Sequence, residues 1–244
     1  MLYRKILSFV AVLAVLFATT TATLATRSEN PVSDKNTTRI LTPLNIAILI
    51  QDDLISQVGN ELDITREFIR SLPAGSRLMT GYITSGTLQV RQPFTTDLDK
   101  AARSLRIPMS SGAASPFNPY VEVSEALRRF DPAWKGSNAV LLISDGLDTS
   151  RGFDSGAAGN TMDLHRAIKH ANERNVAIYS FYAPSVGLTS RSRLAASYGQ
   201  SSLNRLANET GGKAFFQGTT GFVSFDSHFR RLREALNSQV AMAN

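Results

Sequence analysis

Two short apolar segments of this chain end in acidic side chains. The apolar run 139–144 is followed directly by Asp145, and the run 44–50 is followed, after one glutamine, by Asp52 and Asp53. A continuous apolar run of this length that stops at a turn signal is typical of an inner strand of a parallel sheet. Because ligands of open parallel sheets bind just beyond the carboxyl ends of the strands, we predict that these carboxylates form one site for a cation or for a polar group of a partner.

The rest of the sequence predicts the sheet and the helices that would bring those strand ends together. Apolar and β-branched runs predict strands at 44–50, 77–84, 87–94, 139–144, 176–182 and 213–216. Apolar spacings of three and four predict helices at 58–72, 97–105, 119–130, 162–174 and 201–210, and a last helix that carries Phe225, Phe229, Leu232 and Leu236. This alternation predicts an α/β fold: a doubly wound, mostly parallel six-stranded sheet with one antiparallel edge strand and helices on both faces.

The first 25 residues have the order of a secretory signal. Arg4 and Lys5 precede the apolar run 6–18, and small residues follow it up to Ala25. The apolar run is shorter than the roughly 20 residues that a membrane-spanning helix needs. We therefore predict a secreted or periplasmic protein, cleaved near Ala25 and without a membrane span in the mature chain. Cleavage after Ala22 and an uncleaved anchor are the alternatives.

The predicted signal peptide, residues 1–25, sets the first domain boundary. Residues 26–43 are polar and without periodicity, so we predict a flexible linker there. The predicted α/β domain covers 44–237, and 238–244 is predicted as a C-terminal tail. A chain of this length suits one domain with a large core.

Composition excludes several classes of function. The chain has no cysteine, which excludes disulfides, thiolate metal sites and thiol catalysis. Its net charge of +6 falls to +4 without Arg4 and Lys5, and the excess is scattered as single arginines apart from clusters at 128–129 and 230–233. Both clusters lie on the polar sides of predicted helices, so we predict no nucleic-acid binding. The sequence has neither a Gly-x-Ser-x-Gly elbow nor a phosphate-binding glycine loop. We therefore expect no enzyme, with a hydrolase on a similar sheet as the rival interpretation.

Several segments together resemble the von Willebrand factor type A domain. They are the first strand at 46–50, the helix end at 125–130, the segment 141–148 (Leu-Leu-Ile-Ser-Asp-Gly-Leu-Asp), and the late helix and strand at 203–215. The resemblance extends over most of 44–237 and is greatest to a secreted bacterial branch of the family. It implies a protein that recognises a partner and does not catalyse a reaction.

Many members of that family bind a divalent cation in a metal-ion-dependent adhesion site. The resemblance implies Asp-x-Ser-x-Ser after the first strand, a threonine before a middle helix and an aspartate after the fourth strand. Magnesium suits such a site because it takes six oxygen ligands at about 2.0–2.1 Å and can leave one position for a partner's carboxylate. Asp145, followed by Gly146, matches the third element of this pattern.

The other two elements of the metal site are degenerate. The register of the first strand places Gln51, Asp53 and Ile55 at the three positions, and a shift by one residue gives Asp52, Leu54 and Ser56. Ser115 supplies a hydroxyl in the second loop, although the threonine position itself falls nearer Phe117 or Asn118. The resemblance thus implies Mg²⁺ or another divalent cation held by Asp53, Asp145, Ser115, Asp52 and Ser56. A metal-independent module with a relic site is the alternative.

Two long loops should lie beside this site, since both follow strand ends. The loops 146–161 and 183–199 contribute Asp148, Arg151, Arg191 and Arg193 as candidate partner-binding residues. Converging arginines would favour an acidic partner, and solvated arginines on mobile loops are the alternative. We predict an exported module that binds a protein or a cell-envelope component. A subunit that acts only within a larger envelope assembly is a further alternative.

Overall fold

A single six-stranded sheet organises the part of the chain that the computed structural model describes, residues 40, 42–109, 118–134, 136–153, 161–217 and 224–243. Its strands are β1 (Leu44–Gln51), β2 (Arg77–Thr84), β3 (Thr87–Thr95), β4 (Ser137–Ser144), β5 (Val176–Tyr182) and β6 (Ala214–Phe215). They lie in the order β3-β2-β1-β4-β5-β6, with every neighbouring pair parallel except β2 and β3. The predicted mostly parallel sheet with one antiparallel edge strand is confirmed.

The pairing of β1 with β4 decides where the acidic side chains lie. Ile50 pairs with Ile143 in a parallel register, so the two strands end at the same level of the sheet. The chain therefore leaves β1 and β4 side by side, as the sequence predicts. We call this side of the sheet the C-terminal edge.

Helices cover both faces of the sheet, and each face has its own apolar core. The helices are α1 (Gln57–Asn60), α2 (Leu62–Arg70), α3 (Leu98–Arg103), α4 (Pro119–Leu127), α5 (Met162–Glu173), α6 (Arg193–Glu209) and α7 (Asp226–Ala243). Side chains of α2, α3 and α7 pack on one face of the sheet, and those of α4, α5 and α6 pack on the other. Strands buried on both faces explain the unbroken apolar runs in β1 and β4.

The start of α6 differs from the prediction. The helix begins at Arg193, whereas the sequence predicted a loop up to Gly199 and a helix from residue 201. Ser192 caps the helix because its hydroxyl accepts a hydrogen bond from the Ala195 amide at 3.2 Å. Small side chains in the first turns resemble a loop in sequence, but they are the face of α6 that packs against the sheet.

The predicted domain boundaries differ at both ends from the observed elements. Helix α7 continues to Ala243, so the boundary at residue 237 falls inside it. Ile40, within the predicted linker, is buried against the core on the α2 and α7 face. The predicted signal peptide and residues 26–39 of the linker lie outside the described residues. No helix among the described residues has the length and hydropathy of a membrane span.

His228 at the start of α7 makes the stability of the domain sensitive to acid. Its ring is buried among the rings of Phe181, Phe215 and Phe225, and among the described residues its Nδ1 has no hydrogen-bond partner. Burial lowers the pKa of His228 to about 4, and the positive charge of Arg231 also lowers it. The His228 ring is therefore protonated less readily in the folded protein than in the unfolded chain.

We expect the free energy of unfolding to fall by about 2–3 kcal/mol as the pH drops from 6.5 to 4, because only the unfolded chain protonates His228 in that range. Chemical denaturation of the wild type and of His228→Leu across this range measures the effect. The variant should lose most of the pH-dependent decrease, whereas His170→Leu, at a partly exposed position, should retain it. Equal pH dependence in wild type and His228→Leu would contradict this assignment.

Candidate functional site

Gln51, the last residue of β1, connects the two strand ends at the C-terminal edge. Its Oε1 accepts hydrogen bonds from the Ser144 hydroxyl and, at 3.2 Å, from the Asp145 amide. Its Nε2 donates to Oδ1 of Asp53 at 2.7 Å. The buried amide therefore directs its acceptor at β4 and its donor at the carboxylate that follows β1.

Asp145 is enclosed by protein, with 4% of its surface exposed. Its Oδ1 accepts from the Leu147 amide at 3.1 Å, and its Oδ2 accepts from the Thr189 hydroxyl at 3.1 Å. Burial raises the pKa of Asp145, and these hydrogen bonds oppose that rise. Asp145 thus connects the turn after β4 to Thr189 in the loop after β5.

Two loops cross the end of β4 and close over Asp145. The Val186 amide donates to the Asp53 carbonyl at 2.9 Å, and the Ile55 amide donates to the Pro184 carbonyl at 3.0 Å. These bonds join the loop after β1 to the loop after β5 in a short antiparallel contact. Because β4 lies between β1 and β5, this contact spans the strand that carries Asp145. We call it the loop bridge.

Asp53, unlike Asp145, has a carboxylate that solvent reaches. It is partly exposed, and Gln51 is the one described side chain that donates to it. Burial, together with the nearby charge of Asp145, raises the pKa of Asp53 to about 6, and the Gln51 hydrogen bond opposes this rise. An ionised Asp53 therefore carries an energetic cost in the folded protein at neutral pH.

We expect Asp53→Asn to stabilise the protein at pH 8 and to have no effect near pH 4. The raised pKa of Asp53 favours folding at low pH, and that contribution is lost as the pH rises through about 6. The full difference from the usual Asp value is worth about 3 kcal/mol. Partial exposure reduces the expected gain to about 1–2 kcal/mol.

Urea unfolding of the wild type and of Asp53→Asn at pH 4, 6 and 8 tests this expectation. Asp99→Asn, which alters an exposed ion pair with Arg70, serves as the control and should change stability by less than about 0.5 kcal/mol. Destabilisation of Asp53→Asn at pH 8 would show that the charge contributes favourably to the fold.

Asp52 holds a neighbouring segment, although the sequence suggested it as a metal ligand. The Arg106 guanidinium donates to Oδ1 at 2.6 Å and to Oδ2 at 2.7 Å, and the Met109 amide donates to Oδ1 at 2.8 Å. The Thr84 hydroxyl donates to Oδ2 at 2.8 Å. Burial raises the pKa of Asp52, but these donors together bring it below its usual value. Both oxygens are engaged, so Asp52 is not available to a cation.

Arg106 is a site residue that sequence reasoning missed. Its guanidinium also stacks over the Tyr82 ring at 4.1 Å from the centroid. The Tyr82 hydroxyl donates to the Arg106 carbonyl at 2.6 Å and accepts from the Arg106 amide at 2.8 Å. Nothing in the local sequence signals this role, because Arg106 lies 54 residues from Asp52. The segment 106–109 is thus attached at both its ends.

Of the remaining residues predicted at the metal site, those that the structure describes add no oxygen ligand beside Asp53. Ser56 is exposed before α1 and its side chain makes no capping hydrogen bond. Ser115 and Phe117 lie outside the described residues. Ile55 offers no ligand atom, and the Gln51 side chain turns an N–H donor toward Asp53, where a cation would require an oxygen.

The described residues therefore do not fit an octahedral magnesium site. Among them, no three His, Cys, Asp or Glu side chains are grouped as metal ligands would be. Asp145 has both oxygens engaged beneath the loop bridge, and Mg²⁺ requires near-ideal geometry from several oxygens.

The predicted partner-binding residues lie at the same edge of the sheet. Asp148 is partly exposed, and its Oδ1 accepts from the amide and the hydroxyl of Ser150. Arg151 and Arg191 are exposed in the loops after β4 and β5. Arg193, predicted in the second loop, is instead the first residue of α6 and is also exposed.

Exposed apolar side chains are concentrated at this edge. Among the described residues, the exposed large apolar side chains are Ile107, Met109, Val121, Met162, Leu194 and Phe216, which we call the apolar rim. Three of them lie in the first turns of α4, α5 and α6, whose N-termini lie at this edge, and Phe216 follows β6. Ile107 and Met109 belong to the segment held by Asp52.

Two solved structures share the architecture of this chain. The conserved hypothetical protein BatB from Bacteroides thetaiotaomicron is 14% identical, with a TM-score of 0.54 over 81% of this chain and 99% of that chain. The von Willebrand factor type A structure from Catenulispora acidiphila is 16% identical, with a TM-score of 0.54 over 80% of this chain and 43% of that chain. The sequence itself matches no family model and no curated protein. At these identities the similarity is one of fold.

Proposed function

We propose that this domain, which has the von Willebrand factor type A fold, binds a protein or cell-envelope component through the C-terminal edge without a metal ion. The apolar rim is the observation that carries the proposal, because the large apolar side chains that are exposed, among residues whose burial the structure describes, lie at this edge. Burying each of them against a partner would contribute about 1.5–3 kcal/mol before the costs of association.

The rigid attachment of Ile107 and Met109 favours a binding role for the rim. These side chains are 62% and 65% exposed, yet their segment is held by Arg106, the Met109 amide and Tyr82. A segment fixed before binding loses less conformational entropy when a partner covers it. Ile107 lies beside Gly59 of α1, yet most of the surface of both side chains remains exposed, which is the surface that a partner would cover.

The carboxylates of Asp53 and Asp145 also support a binding role for the C-terminal edge. The raised pKa of Asp53 means that the folded protein retains a destabilising charge at this edge at neutral pH. Groups with such perturbed pKa values are frequent at binding and catalytic sites. In a binding role, Asp53 would accept hydrogen bonds from a partner's donor groups.

The partner can be sought directly with the mature chain as bait. We expect that chemical cross-linking in native extract followed by purification recovers a specific partner, and that Ile107→Ser combined with Met109→Ser abolishes its recovery. A matched control is Gln89→Ser with Arg91→Ser, which alters two exposed positions on the edge strand β3. Equal recovery by all three proteins would remove the rim from the proposed interface.

Titration with divalent cations distinguishes this proposal from its nearest rival, in which a cation bridges the protein to its partner. We expect millimolar Mg²⁺ or Mn²⁺ to leave the thermal unfolding midpoint and partner recovery unchanged, and EDTA to have no effect on either. A ligand at 100 times its Kd would stabilise the folded state by about 2.7 kcal/mol, so true binding would be detected. A metal-dependent shift that disappears in Asp53→Asn would restore the cation mechanism.

Export of the protein is part of the proposal and rests on the N-terminal signal pattern. We expect the mature protein outside the cytoplasm, with Thr26 as its first residue, or Thr23 if cleavage follows Ala22. N-terminal sequencing of protein from cell fractions distinguishes the two sites, and a retained Met1 in the membrane fraction would indicate an anchor. Hydrolysis of generic esters or phosphates that is lost in Asp145→Asn would instead favour the enzyme alternative.

A further inference from the structure

Three exposed arginines and three apolar side chains lie around the first turns of α5 and α6. We call this surface the α5–α6 corner; it consists of Arg151, Phe153, Met162, Arg191, Arg193 and Leu194. The Phe153 ring packs edge-on against the Tyr198 ring of α6, with 6.1 Å between the centroids. That contact holds the loop after β4 against the first turns of α6, so Arg151 lies on the same side of the molecule as Arg193.

The positive charge of the corner has no counterion among the described residues. Arg151, Arg191 and Arg193 are exposed, and none of them makes an ion pair with a described carboxylate. Arginines elsewhere on the helix surfaces usually have an acidic partner within four residues, as Arg128, Arg166 and Arg205 do. The N-terminus of the 17-residue helix α6 adds a partial positive charge at the same place.

Apolar surface accompanies this charge. Met162 is the first residue of α5 and is 66% exposed, and Leu194 is the second residue of α6 and is 55% exposed. Of the described carboxylates beside the corner, Asp148 accepts two hydrogen bonds from Ser150, and Asp163 accepts from Asn118 and pairs with Arg166. The corner therefore offers apolar contacts beside arginines that have no ion-pair partner in the described part of the chain, and its complement is a surface of apolar side chains flanked by carboxylates.

We propose that the α5–α6 corner binds an acidic, amphipathic protein segment, with its carboxylates on the three arginines and its apolar side chains on Met162 and Leu194. This inference rests on the proposed binding function of the C-terminal edge and names the chemistry of the partner. Arginine suits the role because its planar guanidinium donates two parallel hydrogen bonds to a carboxylate.

A defined probe tests the inference without knowledge of the natural partner. The probe is a fluorescent amphipathic peptide of glutamate and leucine, compared with the same peptide in which glutamine replaces glutamate, and anisotropy of each is measured with the mature chain. We expect the glutamate peptide to bind, with affinity that falls as salt increases, and Arg191→Glu with Arg193→Glu to weaken it about tenfold or more, since two attractive charge pairs become repulsive. Arg91→Glu with Arg174→Glu, two exposed arginines away from the corner, should bind like wild type.

Three outcomes would overturn the inference. They are equal binding of the glutamine peptide, equal weakening by the control variant, and binding to phosphatidylglycerol vesicles but not to the peptide, which would assign the corner to a membrane surface. Far-ultraviolet circular dichroism and thermal unfolding verify that each variant is folded.

Recovery of the native partner by the two sets of variants distinguishes a failure of this inference from a failure of the proposed function. If rim substitutions abolish partner recovery but the arginine reversals do not, the inference is wrong and the binding function stands. If neither set of substitutions affects recovery, the proposed binding edge itself is wrong.

Discussion

Arg106→Ala is expected to lower the free energy of unfolding by about 3–5 kcal/mol. The substitution leaves Asp52, 3% of whose side chain is exposed, without the guanidinium that donates to both of its oxygens. An uncompensated buried carboxylate retains its desolvation cost, so the pKa of Asp52 should rise in the variant. The loss also releases the stacking contact of Arg106 with Tyr82.

Chemical denaturation at neutral pH measures this effect, and Arg70→Ala provides the comparison. Arg70 pairs with Asp99 at a distance of 2.9 Å, but both side chains are largely exposed, and such pairs contribute about 0–1 kcal/mol. The double variant Arg106→Ala with Asp52→Ala should recover part of the loss, because it removes the unpaired charge. A loss below 1 kcal/mol in Arg106→Ala would mean that water replaces the guanidinium at Asp52.

Gly199→Ala is expected to destabilise the protein by about 3 kcal/mol or more, although alanine is the better helix former by about 1 kcal/mol. A Cβ at residue 199 would lie 1.9 Å from the Asp145 carbonyl oxygen, which is a backbone atom that cannot rotate away. Either α6 would have to move from the sheet or the turn after β4 would have to shift. Both changes would disturb the C-terminal edge.

The sign of this effect distinguishes packing from helix propensity. Ser201→Ala lies on the same helix at an exposed position and should change stability by no more than about 0.5 kcal/mol. Urea unfolding of both variants, with partner recovery as a second readout, measures the difference. A stabilised Gly199→Ala variant would show that α6 can move away from Asp145 at little cost.

The strands could be predicted because each is marked by a short apolar run within its own segment of the sequence. The apolar runs of β1 and β4 and the Ser85-Gly86 turn of the β2–β3 hairpin fix their positions within a few residues, and Ser85 and Gly86 both adopt the positive φ that the turn requires. The side-by-side exit of the chain from β1 and β4 follows from the parallel register. The positions of the strands depend on neighbours in sequence, whereas the shared exit follows from the rules of parallel sheets.

The chemistry of the edge was less predictable because it depends on contacts between distant segments. Asp52 and Asp53 are adjacent and look equivalent in sequence, yet Arg106 engages the first and Gln51 the second. The enclosure of Asp145 requires the loop bridge between segments about 130 residues apart. The early start of α6 depends on small residues that pack only once Gly199 meets the Asp145 carbonyl.

The loop bridge has a consequence for where this protein could work. The backbone bonds of Asp53 and Ile55 cross the strand end that carries Asp145. If the edge binds its partner without a metal ion, as proposed, attachment would depend on ionic strength and contact area and not on dissolved magnesium or calcium. Such a module would remain bound to its partner where chelators remove divalent cations, a condition under which cation-dependent adhesion is lost.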